Sequence, residues 1–317
     1  MIRFTAARLV EMAAVLALMS FVIYVLIGLM PGDPIDLMRS ADPHMTAADV
    51  ARLKAVYGID RPLFERYLDW ARAALAGDLG YSRLFGTPVV TALLPRLGNS
   101  LALMGASFAL AFTIALALGI TAARHPNTRL DAAINLLCFA GVSVPTFWLA
   151  LVLILVFAAQ LGWFPASGLA TAGSADTADR LRHLALPVAT LALANLGGYT
   201  RYIRAAMREA LGQDHIRTAR AKGAGEARVV LHHALPAAMV PVITIIALSC
   251  GGLVSGALVT ETMFAYPGMG KLIFDAVMGN DYNLALAGLL LATATTLAAN
   301  FGADLAYAWL DPRVSYR

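Results

Sequence analysis

Few side chains in this sequence have the type and spacing that chemistry requires. His232 and His233 are the one adjacent imidazole pair. Two ligands share a helix face at i, i+4, so neighbouring histidines point apart. The nearest carboxylates are Glu209 and Glu226, and no Cys completes a zinc set. Gly268-Met269-Gly270-Lys271 resembles the end of a phosphate-binding loop, but Leu272 stands where Ser or Thr is needed. Neither His-Glu-x-x-His nor Gly-x-Ser-x-Gly occurs. We assign no metal and no catalytic residue.

The other polar candidates lie in or beside apolar runs. Thr293, Thr296, Asn300 and Asp304 follow at i+3 and i+4 steps, which lines one helix face with polar groups. A carboxylate at that depth faces protein or water rather than lipid. For Asn300 and Asp304 a polar path and a bond to a neighbouring helix or the headgroup zone both remain open. Ser249, Gly252 and Ser255 mark a small-residue face, either a packing seam or a path lining. Glu261 follows an apolar run, where it would meet a cationic group or bond a helix end.

The elements that hold these residues follow from composition. Of 317 residues, 59% are hydrophobic and 14% charged, against about 25% charged in an ordinary soluble domain. A soluble globule is excluded, and the bilayer is the solvent. The net charge of +4 is too small for a nucleic-acid surface. Cys138 and Cys250 lie inside apolar runs and suggest neither a disulfide framework nor a metal site.

A span needs about 20 apolar residues. Six runs qualify: 9–29, 99–123, 134–161, 186–203, 236–260 and 284–306. The expected fold is therefore an all-α membrane protein of six transmembrane helices. Pro145, Pro187 and the pair Gly197-Gly198 are expected bend points. The first run is longer than a signal core and precedes Met30-Pro31-Gly32-Asp33-Pro34 without a cleavage site, so it reads as an uncleaved helix. Basic residues cluster in alternate short loops: Arg3 and Arg8, Arg124 and Arg129, a group from Arg201 to Arg228, and Arg313 with Arg317. That asymmetry puts both termini in the cytoplasm.

Four regions follow: 1–29 with the first helix, an extracytoplasmic segment 30–98, a five-helix core 99–306 containing an inner loop 201–235, and a cytoplasmic tail 307–317. In the outer segment Thr46 and Asp49 form a capping pair. Pro62 then starts a helix with an apolar stripe of Leu63, Tyr67, Trp70 and Leu75. In the inner loop, good helix formers lead through a basic last turn to Gly223, where a helix ends, and a second helix restarts at Glu226. A basic helical loop can lie on anionic headgroups. A helix, a tight turn and a helix can also enter a groove of another protein.

The stretch Asp214-His215-Ile216-Arg217-Thr218-Ala219-Arg220-Ala221-Lys222-Gly223, with His233-Ala234-Leu235-Pro236 beyond it, resembles the cytoplasmic coupling motif of ABC importer permeases. The likeness is greatest to the dipeptide, oligopeptide and nickel branch. Arg217-Thr218-Ala219 replaces the general Glu-Ala-Ala, a departure typical of that branch. Pro31-Gly32-Asp33-Pro34, Tyr57-Gly58-Ile59-Asp60-Arg61-Pro62-Leu63, Gly77-Asp78-Leu79-Gly80-Tyr81-Ser82 and Ser143-Val144-Pro145-Thr146-Phe147 fit the branch too. So do Leu161-Gly162-Trp163-Phe164-Pro165, the stretch from Glu261 to Gly270, and Asp311-Pro312-Arg313.

The resemblance implies a type I importer fold in a bacterial or archaeal inner membrane. It implies a second homologous permease subunit, two ABC ATPase subunits that use ATP and magnesium, and an extracytoplasmic substrate-binding protein. No cofactor is implied for this chain itself. The coupling segment, comprising Asp214, Ile216, Arg217, Thr218, Ala219, Arg220, Ala221, Lys222, Gly223 and Pro236, would dock on an ATPase. Ser249, Ser255, Glu261, Asn300 and Asp304 become candidates for the translocation path. Glu261 would face a peptide ammonium group or the binding protein. The substrate implied is a dipeptide or oligopeptide, with nickel complexes and glutathione as alternatives within the branch. An autonomous secondary transporter or channel is the competing class; six helices without an inverted repeat count against it.

Overall fold

The computed structural model describes residues 2–29, 46, 48–49, 52, 61–174 and 176–310, and is mainly helical. In chain order, α1 is Ile2–Gly28 and α2 is Leu63–Leu75. A hairpin of β1, Tyr81–Ser82, and β2, Thr87–Pro88, follows with Tyr81 opposite Pro88. Then come α3 (Val89–Arg124), α4 (Arg129–Ser143), α5 (Thr146–Leu153), α6 (Thr177–Leu211), α7 (Asp214–Ala221), α8 (Leu235–Met263), α9 (Met269–Met278) and α10 (Tyr282–Leu310).

Among the described residues, three stretches are long and apolar enough to cross a membrane: Thr5–Gly28, Val89–Arg124 and Tyr282–Gly302. A fourth is the bent pair Arg129–Ser143 and Thr146–Gln160. The expected span over 134–161, with its expected bend point at Pro145, is bent there by 100°. Pro145 has no N–H to donate, and Val144 before it takes an extended conformation (φ −86°, ψ 124°), so α4 must stop. The run expected at 186–203 lies inside α6, which continues through Arg201, Arg204 and Arg208 to Leu211. The first third of the expected inner loop is thus an extension of that helix. Pro187 and Gly197-Gly198 do not break α6.

The chain forms two compact units. One comprises Met1–Gly98 with Gly268–Thr295. Its core joins Ile23 and Ile27 of α1, Val89 and Leu93 of α3, Met269, Leu272 and Ile273 of α9, and Leu284 of α10. From α2, Tyr67 and Trp70 pack on Phe21 and Tyr24, with ring centroids 5.1 Å apart for Phe21 and Tyr67. The Tyr67 hydroxyl also meets Ser20 Oγ at 2.8 Å. Leu75 departs from the expected stripe and is exposed. Thr46 and Asp49 make reciprocal bonds, Thr46 N to Asp49 Oδ2 at 3.0 Å and Asp49 N to Thr46 Oγ1 at 3.3 Å. The helical spacing up to Tyr57 lies outside the described residues.

The hairpin is held by one buried carboxylate. Asp281 accepts from Ser82 Oγ at 2.6 Å and Leu84 N at 3.0 Å, and it caps α10 through Leu284 N at 3.3 Å. Gly80, at φ +79°, lies against Asn283, whose amide would stand 2.8 Å from any Cβ there. Only glycine accepts both conditions.

The second unit comprises Asn99–Pro267 with Thr296–Arg317. Its main core joins Ala111 and Ala115 of α3, Leu196, Tyr199, Ile203 and Met207 of α6, Ile216 of α7, and Val229, Val230 and Ala234 before α8. Two glycines bring backbones together here. A Cβ on Gly197 would stand 2.4 Å from the Cys138 carbonyl oxygen of α4, and one on Gly119 2.7 Å from Ile203. Gly197 therefore serves close helix packing.

Candidate coupling surface and polar sites

The inner segment is a cemented structure. Helix α7 has Ile216 and Ala219 at i+3, both buried in the core that also contains Met207, Ala210, Val229 and Val230. It closes with paired backbone bonds, Gly223 N to Arg220 O at 2.9 Å and Ala224 N to Ala219 O at 3.1 Å. That pattern needs a left-handed residue at the turn, and Gly223 supplies it at φ +78°. Arg220 Nε and Nη2 then donate to Glu226 Oε1 and Oε2 at 2.7 and 3.1 Å, bridging the turn. The guanidinium hydrogen bonds hold the Glu226 carboxyl below its usual range. Thr218 Oγ1 donates to Asp214 O, inside the helix. Ala221 is exposed in its last turn, and Pro236 sits in the first turn of α8, also exposed.

What α7 turns outward is charged. Asp214 and Arg217 make a loose i, i+3 pair at 3.3 Å with side chains 94% and 76% exposed, and Lys222 is exposed beside them. An exposed pair of that kind adds little stability, so its charges stay available to a partner. His232 and His233, on the π-helical turn Val229–Ala234, are exposed as well.

A second feature was not singled out from the sequence. Asp131, 4% exposed at the start of α4, accepts from Arg204 Nε at 2.6 Å and Nη2 at 2.7 Å. Asn127 N and Asn135 Nδ2 complete its acceptor set at 3.0 and 2.9 Å. The available signal was the spacing of Thr128 and Asp131: Thr128 Oγ1 accepts from Asp131 N at 3.3 Å as the helix cap.

The path candidates are scattered. Glu261, expected to meet a cationic group or bond a helix end, is fully buried in the last turn of α8, where Ser100 Oγ donates to its Oε1 at 2.5 Å. Beside it, Tyr266 N donates to Glu261 O, Tyr266 OH to Asn99 O, and Asn99 Nδ2 to Pro267 O. Burial, with the Glu261 charge adding, pushes the Tyr266 hydroxyl up to about 12. Glu261 thus makes the helix-end bond that was one of its two expected roles. Asn300 and Asp304 are half-buried on α10. Ser249 and Ser255 are in α8, with side chains outside the described residues. Pro145 caps α5 at the 100° bend.

The family model described as "Binding-protein-dependent transport system inner membrane component" matches residues 115–316, and the model of that family's N-terminal region matches 1–103. The chain belongs to this family. Its relatives match along their whole length. The chain is 39% identical to the oligopeptide transport system permease protein AppB of Bacillus subtilis, covering 92% of this chain and 93% of that one. It is 40% identical to a putative peptide permease protein of Brucella suis, covering 99% of each. In fold it resembles a chain of the inward-facing MetNI methionine ABC transporter, with a TM-score of 0.58 at 17% identity over 70% of this chain and 97% of that one. This family member is a multi-pass transport permease, not an enzyme.

Proposed function

We propose that the chain is one of two homologous permease subunits of an ATP-driven importer for dipeptides or oligopeptides. A binding protein outside delivers the substrate, and two ATPase subunits inside consume ATP with magnesium. Six spans, with both termini and the 201–235 segment in the cytoplasm and 30–98 outside, fit the sorting of basic residues. The segment from Asp214 to Gly223 docks on an ATPase. The carrying observation is that α7 buries Ile216 and Ala219 in the permease core while presenting Arg217 and Lys222 outward. Such a helix is fixed to its own subunit and charged towards another. The full-length likeness to peptide permeases supports the substrate class.

The test uses the whole transporter in mild detergent and in cells. ATPase subunits should copurify with the native chain and be lost from the Arg217→Glu/Lys222→Glu variant. Gly223→Ala puts a Cβ into a left-handed turn at roughly 1–2 kcal/mol, and labelled-peptide uptake should fall sharply. Unchanged uptake in Gly223→Ala, or uptake by the permease alone without ATP, overturns the reading.

A further inference from the structure

The basic residues between Arg201 and Arg228 are not used alike. Arg204 is committed to Asp131, Arg220 to Glu226, and Arg217 loosely to Asp214. Arg201 has no carboxylate partner among the described residues. Its guanidinium instead lies over the Phe139 ring, 5.5 Å from the centroid. That places a charge beside an apolar cleft of about 240 Å³ between α3, α4, α5 and α6. Leu137, Cys138, Ala140 and Gly141 line it from α4, and Leu193 and Gly197 from α6. Leu193, Gly197 and Arg201 follow at i+4 steps, so Arg201 stands one turn beyond the cleft on the same α6 face. The contact of Gly197 with the Cys138 carbonyl leaves the two helices close at that point, and the 100° bend after α4 carries α5 away.

We propose that this cleft and Arg201 form a binding site for one anionic phospholipid. Its acyl chain fills the slot and its phosphate pairs with Arg201. The surroundings match that occupant: Leu136, Leu137 and Phe139 are exposed on α4, as an apolar surface in bilayer is. Arg201 lies where the apolar face of α6 gives way to Arg204 and Arg208, the level of a headgroup. Stacking on Phe139 holds the guanidinium in place without neutralising it. A protein partner would instead supply a carboxylate to the same arginine, and the test separates the two. The site depends on the chain being in a membrane, which its family establishes, and not on the peptide substrate or on the docking of α7.

The measurement is native mass spectrometry of the assembled transporter, delipidated and titrated with phosphatidylglycerol or phosphatidylcholine. One phosphatidylglycerol per copy of this chain should bind in preference to phosphatidylcholine. Arg201→Gln should weaken it about fivefold, the effect of one surface arginine on an anionic lipid. Arg201→Lys should retain it. Ala140→Phe, at an exposed cleft position, should abolish it while Arg201 is intact. Equal retention of phosphatidylcholine, no loss in Arg201→Gln, or no loss in Ala140→Phe overturns the proposal. So does cross-linking of a cysteine placed at Ala140 to another permease subunit. Labelled-peptide uptake, read in parallel, tests the import function separately.

Discussion

Breaking the pair between Asp131 and Arg204 should loosen the start of α4 from the C-terminal half of α6 by a calculable amount. The Asp131 carboxylate has about four acceptor positions, and Arg204, Asn127 and Asn135 fill them. Arg204→Ala removes half of them from a group 4% exposed. Removing one partner of a buried pair costs about 3–5 kcal/mol, and the 20% exposure of the Arg204 side chain argues for the lower end. The assay is equilibrium unfolding of the purified permease in detergent for the native chain, Asp131→Asn, Arg204→Ala and the double variant. The coupling energy should be about 3 kcal/mol. Coupling under about 0.5 kcal/mol would refute the reasoning. The exposed pair of Arg220 and Glu226 is the control: solvent and salt screen it, so the same cycle should show little coupling at physiological salt.

Two further outcomes follow from close contacts. Gly197→Ala should lower the thermal midpoint, because its Cβ meets the Cys138 carbonyl at 2.4 Å and overpacking costs about 1–3 kcal/mol. Gly198→Ala, with nothing within 4 Å of the new atom, should raise it, since alanine is the better helix former by about 0.5–1 kcal/mol. Asp281→Ala should release the hairpin at Ser82 and Leu84. The loop 83–86 should then be cut faster in limited proteolysis, with α6 unaffected.

How much of this could be read beforehand depended on the distance between partners. The spans at 9–29 and 284–306, the stop at Gly223 and the capping pair of Thr46 and Asp49 are local. Hydropathy over twenty residues, a required left-handed turn and an i, i+3 bond are all visible in a short window. Pro145 was recognisable as a breaker, but the angle was not, because it depends on how α5 packs afterwards. Glu261 follows an apolar run, which shows neither its burial nor its partner Ser100, 161 residues away. Likewise Asp131 and Arg204 are 73 residues apart, and Asp281 and Ser82 are 199 apart. Each lone residue reads as a helix-end polar group, and only the fold supplies its partner. The close contact of Gly197 with Cys138 was hidden for a related reason. Glycine in a span permits either bending or close approach, and the neighbour that decides between them belongs to another helix.

These partnerships also bear on how a push at α7 would travel. Ile216 and Val229 have no exposed surface and Ile203 and Met207 almost none, so α7 cannot pivot on the permease without exposing a packed core. At about 25 cal/mol per Å², exposing even one such side chain costs more than thermal motion provides. The Arg204 pair then ties the C-terminal half of α6 to the start of α4, and the contact at Gly197 ties the same helices again further along. Displacement of α7 therefore moves α6 and α4 together as one body. Along that route α4 ends at the extended link at Val144, where the chain turns by 100° into α5.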